Sequence, residues 1–120
     1  EKAVVKHLLN EIALRESLHG EILGRADEDI LKCENWLHEI RAMTEGKYLA
    51  PEESLEFGSR RTTLEMKVLD LDAEKRKEEA ESWKDLSTLR RYLLFAFRDY
   101  WLAARRSELV GLEADWENET

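Results

Sequence analysis

Apolar residues in the first third of the chain repeat every seven positions. One position of this heptad is occupied by Val5, Ile12, His19, Ala26, Cys33 and Ile40. The position three residues later is occupied by Leu8, Arg15, Ile22, Asp29, Trp36 and Met43. The neighbouring Leu9, Leu23, Ile30 and Leu37 widen the stripe. Because seven residues make about two turns of an α-helix, a stripe that keeps its phase predicts one long amphipathic helix.

Two glycines, Gly20 and Gly24, fall at outward positions of this frame. A loop there would seldom preserve the heptad phase, so we expect a single helix of ~42 residues, about 63 Å long. The alternative is two helices split near Gly24, with Asp27 as the N-cap. The sequence Thr44-Glu45-Gly46 predicts the helix end, and Ala50-Pro51 predicts the next start, since Pro suits the first helical position.

From Ser59 to Val110 the chain contains neither Pro nor Gly, so nothing in the sequence ends a helix there. Within this stretch, residues 72–81 (DAEKRKEEAE) are almost entirely charged. Such a run predicts a solvated helix with ion pairs between residues four apart.

Beyond Trp83 the chain carries two rows of apolar or small residues, which we call seams. The first seam consists of Leu86, Leu89, Leu93, Ala96, Tyr100, Ala103, Ser107, Val110 and Ala114. The second consists of Phe95, Leu102, Leu109 and Trp116, with Leu94, Phe97 and Trp101 beside it. A two-stranded coiled coil needs one seam, so two seams predict packing within a bundle of three or more helices.

These patterns predict an all-α protein that is an elongated antiparallel helical hairpin or coiled coil. A helix over ~3–45 is followed by a turn and by helical structure across 51–118. The second half is longer than the first, so it either overhangs or breaks near residues 72–82 into a three-helix fold. We expect the overhang, because no helix-breaking residue is present.

Composition and charge agree with helices that assemble in water. The 120 residues are 42% hydrophobic and 38% charged, with a net charge of -8 that disfavours nucleic acid as a partner. The net charge is uneven, since residues 1–58 carry 7 basic and 13 acidic residues and residues 59–120 carry 12 and 14. The single Cys33 excludes an intrachain disulfide. Without a signal peptide or membrane-length apolar run, we expect an intracellular fragment, cytoplasmic or nuclear.

Candidate chemistry is sparse. Glu16 and His19 match the Glu-x-x-His element of metal-binding bundles, but a second such element is missing, and helix-surface pairing is the simpler interpretation. Cys33 and His38 lack the paired spacing of a zinc site. The sequence contains no phosphate-binding glycine loop and no nucleophile motif. We therefore expect no enzyme activity and no cofactor.

The partner-binding surface is expected in the aromatic-rich segment between Trp83 and Trp116. Its predicted residues are Trp83, Leu86, Leu93, Phe97, Tyr100, Trp101, Leu102, Leu109 and Trp116. A basic stripe runs along the same segment and consists of Lys84, Arg91, Arg98 and Arg105, one every seven residues. Arginine beside aromatic residues is typical of protein interfaces and of surfaces that meet acidic lipid. Outward heptad positions are also commonly charged, and acidic groups of the first helix are the simplest partners for this stripe.

The segment SLEFGSRR, which begins at Ser54, belongs to neither heptad frame. Glu-Phe-Gly-Ser is also what two adjacent restriction sites encode in frame. We therefore divide the chain into 1–53, 54–59 and 60–120, with 54–59 a hinge or an engineered join between two interacting segments.

These observations predict a coiled-coil assembly or scaffold module that binds protein through helix packing, in a homo- or hetero-oligomer. The first alternative is a peripheral membrane-contacting domain that uses the basic stripe. The second is a carboxylate-histidine metal-binding bundle around Glu16 and His19.

Overall fold

The computed structural model describes residues 2–119, and within that range the chain forms two α-helices and no strand. Helix α1 spans Lys2–Thr44 and helix α2 spans Pro51–Glu119, with lengths of 43 and 69 residues. The prediction of an all-α fold built on two long helices is confirmed.

Helix α1 is continuous through both of its glycines. Gly20 and Gly24 are exposed, as the heptad frame predicted, and the alternative of two helices split near Gly24 is wrong. The buried residues of α1 are Ala26, Cys33 and Ile40, which are seven residues apart. Each glycine costs about 1 kcal/mol relative to alanine in a helix interior. Packing of the apolar face offsets that cost, since tertiary contacts supply most of a helix's stability in proteins.

The turn after α1 uses the predicted glycine. Gly46 adopts the left-handed conformation, with φ of 68°. The backbone N–H of Glu45 donates to the carbonyl of Arg41 at 2.9 Å, and the hydroxyl of Thr44 donates to the carbonyl of Ile40 at 2.8 Å. The first of these bonds satisfies a carbonyl group that the end of the helix leaves without an intrahelical donor.

Helix α2 begins at Pro51, as predicted, with Glu52 and Glu53 in its first turn. It passes through residues 54–59 and 72–82 as continuous helix, so the alternative of a break in the charged run is wrong. The turn between the helices therefore lies at residues 45–50, before the SLEFGSRR segment. That residues 54–59 join two originally separate segments stays a prediction.

The described residues divide into two compact units, each of which contains a part of both helices. Unit 2 comprises Leu18–Ser82 and includes the turn. Unit 1 comprises the flanking parts of the chain, up to Ser17 and from Trp83 onward.

In unit 2 the two helices pack antiparallel. His19 contacts Glu78, and Asp27, further along α1, contacts Lys75, earlier in α2. The apolar core consists of Ala26, Cys33, Ile40 and Leu71. The unit is thus a helical hairpin with a narrow core of mostly small and medium-sized side chains.

In unit 1 the first turns of α1 also run antiparallel to α2. The guanidinium of Arg15 lies 2.9 Å from the carboxylate of Asp85. Leu8, two turns earlier in α1, shares a cleft with Tyr92 and Phe95, which are later in α2. The half-buried residues of the first seam, Leu86, Leu89, Leu93 and Ala96, belong to this unit.

Candidate interaction surface on α2

The first seam of α2 changes from half-buried to exposed after Ala96. Leu86 and Leu93 are half-buried, whereas every side chain from Phe97 to Asn118 is exposed. The heptad spacing does not change at this point. We call Tyr100, Ala103, Ser107, Val110 and Ala114 the exposed seam.

Most of the predicted partner-binding residues lie on this exposed part of α2 or beside it. Two of the predicted residues, Leu86 and Leu93, are half-buried. The exposed ones are Trp83, Phe97, Tyr100, Trp101, Leu102, Leu109 and Trp116. The exposed fractions are substantial, at 58% for Trp101, 58% for Leu109 and 64% for Val110. Proteins that act as monomers rarely expose large contiguous apolar patches, so this surface is the candidate interaction surface of the chain.

The basic stripe is exposed along its whole length. Lys84, Arg91, Arg98 and Arg105 are all solvent-accessible. The guanidinium of Arg105 lies 4.8 Å from the ring centroid of Trp101 and 3.4 Å from a carboxylate oxygen of Glu108. These contacts hold Trp101 and Arg105 together on one side of the helix, in the aromatic–arginine combination that is enriched at binding hot spots.

One acidic residue of α1 does pair with a basic residue near the stripe. Arg90 donates to the carboxylate of Glu16 at 3.1 Å. Both side chains are more than half exposed, so this pair contributes little to stability. It joins α1 to α2 in unit 1 and leaves the stripe itself accessible.

A second apolar surface lies in unit 2, beside the turn. Trp36, Ile40, Met43, Phe57 and Leu64 line a cleft of about 350 Å³, with Arg60 at its edge. The sequence pattern assigned Phe57 to no seam, yet Phe57 is half-buried here. Its position follows from the turn geometry, which brings the start of α2 against the end of α1.

The charged run of α2 contributes to the core of unit 2. Glu78 is 7% exposed and Ser82 is 2% exposed, and Asp72 and Lys75 are half-buried. The expectation of a fully solvated run is therefore wrong for one face of the helix. The opposite face matches it, since Lys77 pairs with Glu81 at 4.0 Å across one turn. The signal that could have located Glu78 is its spacing of seven from the buried Leu71.

A specific ion pair also forms in unit 2. The ammonium of Lys75 lies 2.6 Å from the carboxylate of Asp27. The hydrogen bond to Asp27, assisted by the negative charges of Asp27, Asp72 and Glu79, raises the pKa of Lys75 above its ordinary value of 10.5, against a smaller opposing effect of desolvation. The pair joins the two helices in this unit.

The predicted metal-site residues take part in helix-pairing contacts. His19 lies 3.2 Å from Glu78 in unit 2, and Glu16 pairs with Arg90 in unit 1. Residues 2–119 contain no group of three or more His, Cys, Asp or Glu side chains placed to hold a metal ion. Cys33 is buried at 4% exposure.

None of the helical structure in the described residues is apolar over a length sufficient to cross a membrane.

Comparison of this chain with protein-family models, curated proteins and solved structures yields no match.

Proposed function

We propose that this chain is a non-enzymatic coiled-coil module that binds another polypeptide through the end of α2. The observation that carries this proposal is the first seam, which keeps its heptad spacing from Leu86 to Ala114 but is exposed after Ala96. A helical partner is the ligand whose shape and period fit such a row of side chains.

In unit 1, an earlier part of the first seam is covered by α1. Leu86, Leu89 and Leu93 are half-buried where α1 runs beside α2, and the polar contacts around them are the ion pairs Arg15–Asp85 and Arg90–Glu16. We infer that a second helix covers the exposed seam in the same manner. The aromatic side chain of Phe97 supplies a large contact area at its edge.

The polar contacts of the described residues also support binding over catalysis. Three of these contacts join α1 to α2 and so pair the helices: His19–Glu78, Asp27–Lys75 and Arg15–Asp85. Such contacts determine which surfaces associate and in what alignment.

Site-specific photo-crosslinking in the expressing cell tests the proposal. A photoreactive phenylalanine derivative replaces Tyr100 on the exposed seam, and the matched control carries it at Arg98 on the opposite side of α2. We expect Tyr100 to crosslink to a polypeptide, which can be another copy or a different protein, in much higher yield than Arg98. Equal yields from the two positions, or no polypeptide adduct from Tyr100, would overturn the proposal.

A membrane surface is the second candidate partner, favoured by the accessible stripe of Lys84, Arg91, Arg98 and Arg105 beside exposed aromatic side chains. Flotation with vesicles that contain acidic lipid tests it. Binding should fall with added salt and should be lost when Arg91 and Arg98 are both changed to Glu. Absence of salt-sensitive binding rejects this candidate.

A further inference from the structure

We propose that the partner of the exposed seam is a second copy of this chain, packed antiparallel, with Arg106 of each copy beside Glu113 of the other. This inference rests on the proposed function and names its partner. It follows from the distribution of charge along the exposed part of α2.

Basic and acidic residues are separated along the last part of α2. Residues 84–106 contain six basic and two acidic residues, whereas residues 107–119 contain five acidic residues and no basic one. If two copies of this helix packed in parallel, the basic segments would lie beside each other, and so would the acidic segments. Packed antiparallel, the end of each basic segment lies along the acidic segment of the other copy, so this orientation is electrostatically favoured.

The residues that flank the exposed seam determine the alignment. On one flank lie Asp99, Arg106 and Glu113, seven residues apart. On the other lie Phe97, Ala104 and Gly111. In an antiparallel pair of helices related by a two-fold axis, each flank faces the same flank of the partner.

Among the registers that use only the exposed seam, one pairs opposite charges on that flank. When Ser107 lies opposite Val110, and Ala103 opposite Ala114, Arg106 faces Glu113 of the other copy, and symmetry repeats the pair. A shift of seven residues in one direction sets Arg106 against itself and Asp99 against Glu113. A shift in the other direction sets Glu113 against itself. Like charges at these positions repel, so both shifts are disfavoured. A shift of fourteen residues sets Arg106 against Asp99, but it needs Leu93 and Ala96, which are half-buried in unit 1, at the contact between copies. The first register is therefore selected.

The local structure accommodates this arrangement. The exposed seam continues the row of residues that packs against α1 in unit 1, so the helix already presents that face for packing. Small side chains at Ala103, Ala104 and Ser107 let a second backbone approach closely. Among the described side chains, those of residues 2–118, no ion pair uses Arg106 or Glu113, and both side chains are exposed.

Charge exchange between these two positions tests the arrangement. The molar mass of the full chain is measured by light scattering and analytical ultracentrifugation over a dilution series, for the wild type, Arg106→Glu, Glu113→Arg and the double exchange. Each single change turns two attractive pairs into two repulsive ones, so we expect about a tenfold higher Kd for the dimer. The double exchange restores the opposite charges and should return the Kd to near its wild-type value.

Mixing the two single variants gives the sharpest result. In the mixture, two acidic groups of Arg106→Glu meet two basic groups of Glu113→Arg, so the mixed dimer should form at concentrations where each variant alone is a monomer. Far-UV circular dichroism checks that the helices are retained, which is expected because both positions are exposed on α2.

Two results would overturn the inference. A wild-type chain that remains a monomer at every concentration excludes a second copy as the partner. A dimer whose Kd is the same for the single and double variants excludes the pairing of Arg106 with Glu113. Neither result removes the proposed function, because a crosslink from Tyr100 to a different protein would still support it.

Discussion

The Nδ1 atom of His19 lies 3.2 Å from a carboxylate oxygen of Glu78, and this contact joins α1 to the buried face of α2. Glu78 is 7% exposed, in the middle of a run that is otherwise rich in solvated charge. Ser82, one turn later on the same face, is 2% exposed. The helical interface of unit 2 therefore contains a polar layer, and polar layers of this kind specify register at the expense of stability.

Removal of either partner from this layer should destabilise the chain. We expect Glu78→Ala to lower the free energy of unfolding by about 2 kcal/mol, because the polar atoms of His19 lose a buried partner. Glu79→Ala is the matched control, since Glu79 is exposed, and its effect should stay within about 0.5 kcal/mol. Urea unfolding followed by circular dichroism measures both.

The double substitution His19→Leu with Glu78→Leu should behave differently from the single changes. Replacement of both polar partners by apolar groups removes the desolvation cost, so stability should return to the wild-type value or exceed it. Equal unfolding midpoints for Glu78→Ala and Glu79→Ala would show that Glu78 is not part of the interface.

Gly46 and Gly24 should respond in opposite ways to alanine. Gly46 has φ of 68°, a conformation that alanine adopts at a cost, so Gly46→Ala should destabilise the chain by about 1 kcal/mol. Gly24 lies inside α1 with open space around its Cα, so Gly24→Ala should stabilise it by about 0.5–1 kcal/mol. Thermal unfolding of the two variants gives the comparison, and a stabilising Gly46→Ala would contradict the turn geometry.

The Lys75–Asp27 pair should contribute stability that depends on high pH. The pKa of Lys75 is raised in the folded chain, so its contribution is complete below the ordinary value of 10.5 and is lost as pH rises through the folded value. The stability difference between the wild type and Asp27→Asn should therefore be constant near neutral pH and should shrink above pH 10.5.

Titration of the lysine side-chain resonances by NMR tests this directly. The pKa of Lys75 should fall when Asp27 is changed to Asn. Lys77→Met supplies the control, because Lys77 pairs only loosely with Glu81 at 4.0 Å and its loss should leave the pKa of Lys75 near its wild-type value. An unchanged pKa in Asp27→Asn would mean that the pair does not persist in solution.

Substitutions of Leu93 and Phe97 should have different effects on folding and on association. Leu93 is half-buried in unit 1, so Leu93→Ala should lower the free energy of unfolding by about 1.5 kcal/mol. Phe97 is exposed, so Phe97→Ala should change the unfolding of the dilute chain by less than about 0.5 kcal/mol and should weaken association. Unfolding at low concentration and light scattering at high concentration measure the two effects. An equal loss of stability in both variants would contradict the change from half-buried to exposed side chains after Ala96.

Much of the helix pairing could be predicted from local patterns. The phase kept from Val5 to Met43 was enough to predict one helix through Gly20 and Gly24, since a seven-residue repeat reflects helix geometry. The spacing of seven from Leu71 could have placed Glu78 on the inward face of α2, but it could not identify the residue that Glu78 contacts. Its environment depends on which residue of α1 lies opposite, and that is determined by the turn and by contacts between residues far apart in sequence.

The sequence by itself determined two helices, their limits at Thr44 and Pro51, and the rows of apolar residues along them, because helix periodicity, proline and glycine act over a few residues. Only the tertiary structure decided where the first seam is covered. The register of α1 against α2 half-buries Leu86 and Leu93 and leaves the same row exposed after Ala96. The heptad repeat is identical on both sides of that residue, so no local pattern could mark it; exposure depends on the position of a neighbouring helix.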